Sequence, residues 1–252
     1  MEWQQSASQF ELDKSQTAAN QVYVHLRDQI LKMSMRPGTV LSRADLSRYY
    51  GVSATPIRDA TLRLAEEGLV DVFPQHGTRV SGIDIDAAKY AHFLRLSLEL
   101  EIARKLSGGH PADLPKELYA LIDKQRGYLE TQNFDAFVQV DLEFHHRLFV
   151  AANMEDLWVF MRSKSGNMDR LRRLHVPLNG KADGVLQEHA DLAAAIANGN
   201  AYAAESLVRR HLSGTMSKLR ALRERYPGLL MPEDTVVPEL LTSGTTSLLP
   251  TP

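Results

Sequence analysis

Three segments in the second half of the chain carry side chains that can bind a metal ion. In DLEFHHRLF, residues 141–149, an aspartate and a histidine stand four positions apart, so both project from one helix face with Cβ atoms roughly 5–6 Å apart. The segments QEHADLAAAI and RRHL each add one histidine. One carboxylate and three imidazoles that converge from three helices would suit a divalent first-row metal: imidazole favours Zn, Ni, Cu or Fe, and a single carboxylate permits Mn. The candidate ligands are Asp141, His145, His189 and His211.

Residue type and spacing alone leave other readings of this set open. An Asp-x3-His pair is more often a surface contact than a ligand pair, and a lone histidine is more often an ordinary core or surface residue. His146 stands one step round the helix from His145 and is expected to be a bystander. An enzymatic reading would use a metal with open positions to activate water or bind oxygen. Glu143 and Glu188 would then be the candidate bases, but their spacing puts neither on the ligand face.

Composition limits the classes of protein to which the chain can belong. Its 252 residues are enough for two small domains, and 44% hydrophobic with 24% charged residues is typical of a soluble protein. Cysteine is absent, which excludes disulfides and thiolate chemistry. We find no apolar run of membrane-spanning length and no signal peptide, so we expect a cytoplasmic protein that does not enter the membrane. The net charge of -2 means that any contact with nucleic acid must come from a local basic face.

The first third of the sequence predicts a winged helix-turn-helix domain over residues 16–82, preceded by a flexible arm at residues 1–15. Helical periodicity covers residues 16–33 and 42–50, and a third helix begins at Ser53 or Thr55 just after Gly51. Strand, turn and strand then follow up to residue 80. In this motif the helix after the glycine turn enters the major groove of DNA, which predicts DNA binding. The residue-based alternative is a helical domain that happens to end in a hairpin.

From residue 83 to 226 the pattern is helical throughout, and we predict a bundle of about six helices. Residues 227–252 are rich in proline, serine and threonine and are predicted to be a tail. The predicted fold class is therefore mainly α, with an N-terminal winged helix-turn-helix domain and a C-terminal all-α bundle. The predicted helices of the bundle cover residues 87–106, 114–130, 134–152, 154–174, 183–197 and 201–226.

The segment RPGTVLSRADLSRYYGVSATPIRDATLRLAEEGLVDVFPQHGTRV, residues 36–80, resembles the DNA-binding domain of the GntR family of bacterial transcription regulators. The resemblance implies that Ser53, Thr55 and Arg58 touch DNA and that His76 and Gly77 lie at the wing tip. The chain departs from the family pattern at Ala54, where arginine is usual, and at Arg43, where glutamate is usual. An arginine–guanine pair gives about 1–3 kcal/mol of discrimination, so we expect an altered operator, with Arg43 as the replacement contact.

Residues 86–226 resemble the effector domain of the FadR-type branch of this family. Its metal-binding members carry aspartate, a histidine four positions later, a Glu-His segment and a His-Leu segment. The resemblance therefore implies that Asp141, His145, His189 and His211 hold a divalent ion, with zinc first and nickel, manganese or iron as alternatives. In HFLRLSLELEIARKL the resemblance implies that Arg95 grips an effector carboxylate, and the alternative is a salt bridge to Glu99. Arg172 and Arg173 are further candidates for the pocket, and we favour the alternative that they lie on a solvated face.

These resemblances imply a homodimeric regulator that binds double-stranded operator DNA, with a small organic acid as effector. Repression is expected over activation from the habit of the family. Effector and operator would each change the affinity for the other by the same factor. Two alternatives remain at this point: a metal-dependent hydrolase or other metalloenzyme, and a metal-free regulator that senses an acyl ligand.

Overall fold

The computed structural model describes residues 10–73, 77–177 and 181–232. The N-terminal unit, called the head here, contains three helices and a small sheet. The sheet is antiparallel with the strand order β1-β3-β2, so the head has the predicted winged helix-turn-helix architecture. The two-residue strand β1 was not predicted, because so short a strand has no periodicity of its own. The elements are α1 (Ala18–Leu31), β1 (Val40–Leu41), α2 (Arg43–Tyr50), α3 (Ala54–Glu66), β2 (Val70–Phe73) and β3 (Gly77–Val80).

Local sequence explains how the two crossed helices of the head begin and end. The side chain of Ser42 accepts a hydrogen bond from the backbone N–H of Asp45, which caps α2. Gly51 ends α2 with φ 66, a left-handed conformation that glycine adopts without strain. Ser53 stands at the N-cap position of α3, but its side chain makes no capping hydrogen bond, which leaves its hydroxyl available on the surface.

The helices that follow, called the body, begin with α4 and form an all-helical bundle, as predicted. Helix α4 packs along α10, α5 packs against α6 and α9, and α9 also packs against α10. The apolar core between them includes Phe137, Phe144 and Phe149. The helices are α4 (Ile85–Ser107), α5 (Leu114–Glu130), α6 (Phe134–Ala151), α7 (Glu155–Lys164), α8 (Gly166–His175), α9 (Lys181–Ala197), α10 (Ala201–Met216) and α11 (Leu219–Arg225).

Two of the six predicted body helices are each divided, so the described part of the body has eight. The break at Ser165 separates α7 from α8, and the hydroxyl of Ser165 donates to the carbonyl of Met161 one turn back. Such a back-bond bends helices, and the following Gly166 is a poor helix former. A Cβ atom on Gly166 would lie 2.8 Å from the Leu69 side chain, so the glycine allows α8 to approach the head closely.

Both predicted terminal segments have parts that pack on the domains. In the N-terminal arm, Phe10 packs on the rings of His25 and Tyr50, while residues 1–9 lie outside the described residues. At the start of the tail, residues 229–231 lie beside Ile83, whose N–H donates to the carbonyl of Leu229 at 2.8 Å. Residues 233–252 are outside the described part. No helix among the described residues is long and apolar enough to cross a membrane.

Candidate metal centre

Asp141, His145, His189 and His211 come together inside the body. One potential ligand atom from each residue can be chosen so that all four atoms lie within 4.8 Å of one another. Helix α6 presents the aspartate and the first histidine one turn apart, α9 presents the second histidine, and α10 presents the third. All four side chains are buried. The predicted convergence of these four residues is therefore present.

Each histidine of the cluster has its Nδ1 atom beside a polar side chain outside the cluster. His145 Nδ1 lies 2.7 Å from Glu99 Oε2, and His211 Nδ1 lies 2.9 Å from Glu188 Oε2. His189 Nδ1 lies 3.0 Å from Gln125 Oε1. When Nδ1–H donates to such an oxygen, the lone pair is on Nε2, which is the tautomer that ligates a metal. All three Nε2 atoms are thereby available to the centre of the cluster.

Three buried side-chain atoms of the cluster have no hydrogen-bond partner within the described residues: Asp141 Oδ1, His189 Nε2 and His145 Nδ1. His145 Nδ1 lies 2.7 Å from Glu99 Oε2, and Asp141 Oδ1 and His189 Nε2 lie 3.6 Å apart. In addition, His145 Nε2 and His211 Nε2 face each other at 3.1 Å. An unsatisfied buried polar group costs about 1–3 kcal/mol, and the two Nε2 lone pairs repel when both histidines carry the proton on Nδ1. A divalent cation bound by three imidazole nitrogens and one carboxylate oxygen would satisfy Asp141 Oδ1 and the three Nε2 atoms, so the residues fit a metal of this kind.

Electrostatics hold the cluster in the protonation state that binds metal. Burial lowers the pKa of His145 to about 4, and burial together with His211 holds the pKa of His189 well below its usual range. Burial would raise the pKa of Asp141, but Arg172 and the three histidines hold it well below the ordinary value. At neutral pH the two imidazoles are therefore neutral and the carboxyl group is ionised, which is the state that a cation requires.

Arg172 does not lie on a solvated face, and that prediction was wrong. Helix α8 turns it inward, where its guanidinium donates to Asp141 Oδ2. This leaves Asp141 Oδ1 for the centre. A charged residue on an amphipathic helix is usually exposed. Arg172 is buried because its partner, Asp141, lies on a different helix, and the sequence alone does not show that the two meet. Its neighbour Arg173 pairs instead with Asp135, whose side chain is exposed.

Arg95 forms the salt bridge that the sequence offered as one of two alternatives, and its role in effector binding stays a prediction. Its Nε atom donates to Glu99 Oε1 at 2.6 Å, which is the predicted salt bridge. It also lines a cavity of about 20 Å³ beside the cluster, together with Arg172, His211 and Thr215. Arg95 Nη2 and Arg172 Nη1 are buried and have no hydrogen-bond partner within the described residues. Two unsatisfied guanidinium donors therefore lie beside the four-residue cluster.

The residues behind the ligands were the part of the site that sequence reasoning missed. No sequence pattern indicates Gln125, and the spacing of Glu188 does not put it on the ligand face. The Glu188 side chain is nevertheless long enough to contact His211 Nδ1 on α10. Glu143 pairs with Lys124 at 2.8 Å on the surface. His146 pairs with Glu155 at 3.0 Å and stacks on Trp158, away from the cluster, as expected of a bystander.

The residues predicted to contact DNA lie on the exposed surface of the head. The N-terminal end of α3 carries Ser53 at the N-cap position and Thr55 and Arg58 in the first turns, and all three are exposed. Arg43 is the first residue of α2 and is also exposed. Gly77 begins β3 with φ 94, a conformation that favours glycine. His76 falls outside the described residues, so its place at the wing tip stays a prediction.

Comparison with known proteins now places the chain in a family. The sequence matches the family of bacterial regulatory proteins named gntR over residues 18–80 and the FCD domain over residues 91–214. It is 30% identical to a Streptomyces ambofaciens protein described as an uncharacterized HTH-type transcriptional regulator in an unstable DNA locus. The aligned 228 residues cover 88% of this chain and 93% of that protein. The chain belongs to the GntR family. It is a DNA-binding transcriptional regulator and not an enzyme.

Other GntR-type proteins share its length and fold. The HTH-type transcriptional repressor RspR of Escherichia coli K12 is 27% identical over 214 residues, 85% of this chain and 94% of its own. Among solved structures, E. coli McbR/YncC superposes with a TM-score of 0.70 at 20% identity over 84% of this chain and 99% of its own. A GntR protein from Rhodococcus sp. RHA1 superposes with a TM-score of 0.68 at 21% identity, over 82% of this chain and 98% of its own. These likenesses support the fold of the GntR head and FCD body.

Proposed function

We propose that this GntR-family protein is a homodimeric repressor whose operator affinity changes when a small organic acid binds beside a divalent metal in the FCD domain. The observation that carries the proposal is the buried cluster of one carboxylate and three imidazoles, with ligand atoms within 4.8 Å of one another. Four buried polar side chains cost folding free energy when they are left uncompensated, so a regulator that needed only a packed core would not require them.

Zinc is the metal that the donor set favours, and nickel, manganese or iron remain the alternatives. Asp141, His145, His189 and His211 would hold the ion, and the ion would supply a Lewis-acid site for an oxygen of the effector. Glu99, Gln125 and Glu188 would keep the three imidazoles in the tautomer that binds.

The charge around the cluster favours a carboxylate effector. Asp141 and Glu99 give two negative charges against the two positive charges of Arg95 and Arg172, and the third carboxylate, Glu188, lies 3.7 Å from the guanidinium of Arg210. A divalent ion would therefore leave net positive charge at the centre, which a carboxylate would offset. Arg95 and Arg172 line the adjoining cavity, and their unpartnered Nη2 and Nη1 atoms would donate to such an anion. The cavity of about 20 Å³ has room for about one water molecule, so the acid must be small or side chains must move.

On the DNA side, α3 would enter the major groove with Ser53, Thr55 and Arg58 at its N-terminal end. Arg43 would stand in for the side chain that Ala54 lacks, and His76 and Gly77 would contact DNA from the wing. A homodimer would present two such heads to a palindromic operator. Support for a second copy comes from α4, where Tyr90 and Phe93 are 77% and 72% exposed and stand one turn apart. Repression is supported by the name of the relative RspR.

A thermal-shift screen tests the proposal. The purified protein would be heated with a panel of small carboxylates, once after zinc loading and once with chelator. At least one acid should raise Tm only in the zinc-loaded protein, because both the ion and the two arginines are needed to bind it. An acid that stabilises zinc-loaded and chelated protein equally would contradict the metal-dependent site and favour a metal-free sensor. Robust hydrolytic turnover that His189→Ala abolishes would contradict the regulatory reading of the site.

A further inference from the structure

Helix α8 is only ten residues long, yet it contacts both the candidate metal centre and the connection to the head. Near its C-terminal end, Arg172 donates to Asp141 Oδ2. Two positions earlier, Arg170 is fully buried and points to the linker, defined here as residues 81–84. Residues two apart on an α-helix are separated by about 200° around its axis, so these two arginines project from opposite faces.

Arg170 grips the linker through its main chain. Its Nη1 donates to the carbonyl of Ser81 at 2.8 Å, and its Nη2 donates to the carbonyl of Gly82 at 3.2 Å. Nη2 also donates to Asn167 Oδ1 at 2.6 Å, and that same oxygen accepts the N–H of Asp84 at 2.9 Å. One face of α8 therefore holds three consecutive peptide groups of the linker region through two side chains.

The opposite side of the linker is held by the strap, defined here as residues 229–231. The N–H of Ile83 donates to the carbonyl of Leu229 at 2.8 Å, and the N–H of Met231 donates to the carbonyl of Ile83 at 2.9 Å. A Cβ on Gly82 would lie 2.7 Å from Met231 Cγ, so the linker and the strap are in close contact. Because the strap blocks movement away from α8, a shift of α8 must either carry the linker with it or break these bonds.

A second route from α8 to the head runs through Arg162 of α7. Asp169 accepts two hydrogen bonds from Arg162, at 2.9 and 2.6 Å, and the carbonyl of Arg162 accepts a hydrogen bond from Arg27 of α1 at 2.9 Å. Asp169 and Arg170 are adjacent and both are buried, so the same turn of α8 is linked to the head by two routes, one through Arg162 and one through the linker. Buried hydrogen-bonded charges of this kind have few alternative arrangements, which suits an element that moves as a unit.

We propose that α8 transmits the state of the metal centre to the DNA-binding head, with Arg172 contacting Asp141 on one face and Arg170 contacting the linker on the other. The inference rests on the proposed function, because it takes Asp141 as a metal ligand. When Asp141 is held by an ion, its partner Arg172 is fixed, α8 is fixed with it, and the linker opens less often. Arg170 and Arg172 are positioning residues in this account, since neither touches DNA.

Hydrogen–deuterium exchange of the linker amides tests this without knowledge of the operator or the effector. Zinc alone is the probe, added to chelator-stripped full-length protein, and bound zinc is measured in parallel. In the wild-type chain, zinc should slow exchange at the amides of Ile83 and Asp84 by about fivefold or more, the lower end of ordinary coupling between sites. In R170K, which keeps the charge but loses the planar fork, zinc should still bind with an affinity within about threefold of the wild type but should change linker exchange by less than about twofold.

R173K is the matched control, because Arg173 lies on the same helix and pairs with an exposed partner. It should respond to zinc as the wild type does. If R170K does not fold, N167A removes the acceptor of the Asp84 N–H and should blunt the response in the same way. The proposal is overturned if R170K keeps the wild-type response, or if zinc binds the wild type and slows all amides equally or none in the linker. Absence of bound zinc in the wild type would instead overturn the proposed function, and this inference with it.

Discussion

Arg172 and Asp141 place a positive and a negative charge in contact inside the body, where water cannot screen them. The pair brings a large desolvation cost, and either charge left alone would cost more than the pair itself. Burial and the Asp141 carboxylate act on Arg172 in opposite directions, and the carboxylate prevails, so the pKa of Arg172 is raised. The two side chains therefore stay ionised together, and Asp141 keeps one oxygen for a cation.

Replacing Arg172 with methionine should destabilise the metal-free protein more than the zinc-bound protein. Without the guanidinium, the buried Asp141 carboxylate has no counter-charge, which costs about 3–5 kcal/mol of unfolding free energy. A bound cation would supply part of that charge, so zinc should recover a large part of the loss. Urea denaturation with zinc and with chelator measures both values. R173M should cost no more than about 1 kcal/mol, because its ion pair has an exposed partner. Equal losses with and without zinc would show that Asp141 is not a ligand.

Changing Gln125 to methionine should weaken zinc binding without removing a ligand. Gln125 Oε1 is 3.0 Å from His189 Nδ1, and loss of such an orienting partner typically costs 10–100-fold in metal affinity. Competition with a chromophoric chelator measures the change. H146Q is a control, because His146 pairs with Glu155 away from the cluster. Wild-type affinity in Q125M would mean that His189 needs no orienting partner.

The metal-free protein should lose stability as the pH falls from about 6.5 towards 4. The folded-state pKa of His145 is about 4, below the ordinary value of 6.5, so between these values the unfolded chain binds the proton that the folded chain excludes. The stabilisation that depends on neutral His145 is therefore complete above pH 6.5 and is lost on acidification. His189 acts in the same direction because its pKa is also lowered. Chemical denaturation across this range would measure the effect, and a stability that stays constant from pH 7 to pH 4.5 would contradict it.

Helices α2 and α3 each have a serine at the N-cap position, and the two serines have different roles. Ser42 caps α2 through a hydrogen bond to the Asp45 N–H, whereas Ser53 makes no capping bond at the start of α3. S42A should therefore lower the unfolding free energy by about 1 kcal/mol, and S53A by clearly less. Binding to a selected operator should show the reverse order, with S53A the weaker binder. If S53A proves the more destabilising change and leaves DNA affinity intact, the proposed role of Ser53 at the DNA surface is wrong.

The elements also show what the sequence could and could not predict. Helices such as α6 were predictable because their apolar residues repeat with helical spacing, and that spacing also put Asp141 and His145 on one face. The break at Ser165 was not predictable from periodicity, since the pattern continues through it. The sequence does not indicate Gln125 at all, and it indicates Glu99 and Glu188 only for other roles, because each of the three lies on a different helix from the histidine that it contacts. Contacts between elements depend on packing, which a single sequence does not specify.

At the scale of the whole molecule, the exposed aromatic face of α4 predicts where two chains meet. Tyr90 and Phe93 are the most exposed large apolar side chains of that helix, and a monomer gains nothing from leaving them in water. The double variant Y90E/F93E should shift the protein from dimer to monomer in light scattering, because two carboxylates per chain would have to be buried in the contact. K105E, which changes an exposed residue of the same helix, is the control for added negative charge. A variant that remains dimeric would place the interface elsewhere.

The central claim is that four side chains from three helices hold one divalent cation in the FCD domain of this GntR regulator. Calorimetric titration of zinc into chelator-stripped full-length protein tests it most directly. We expect one tightly bound ion per chain in the wild type, and no comparable binding in a D141N/H189Q variant that stays folded by circular dichroism. No zinc binding by the folded wild type, or wild-type binding by the double variant, would contradict the account.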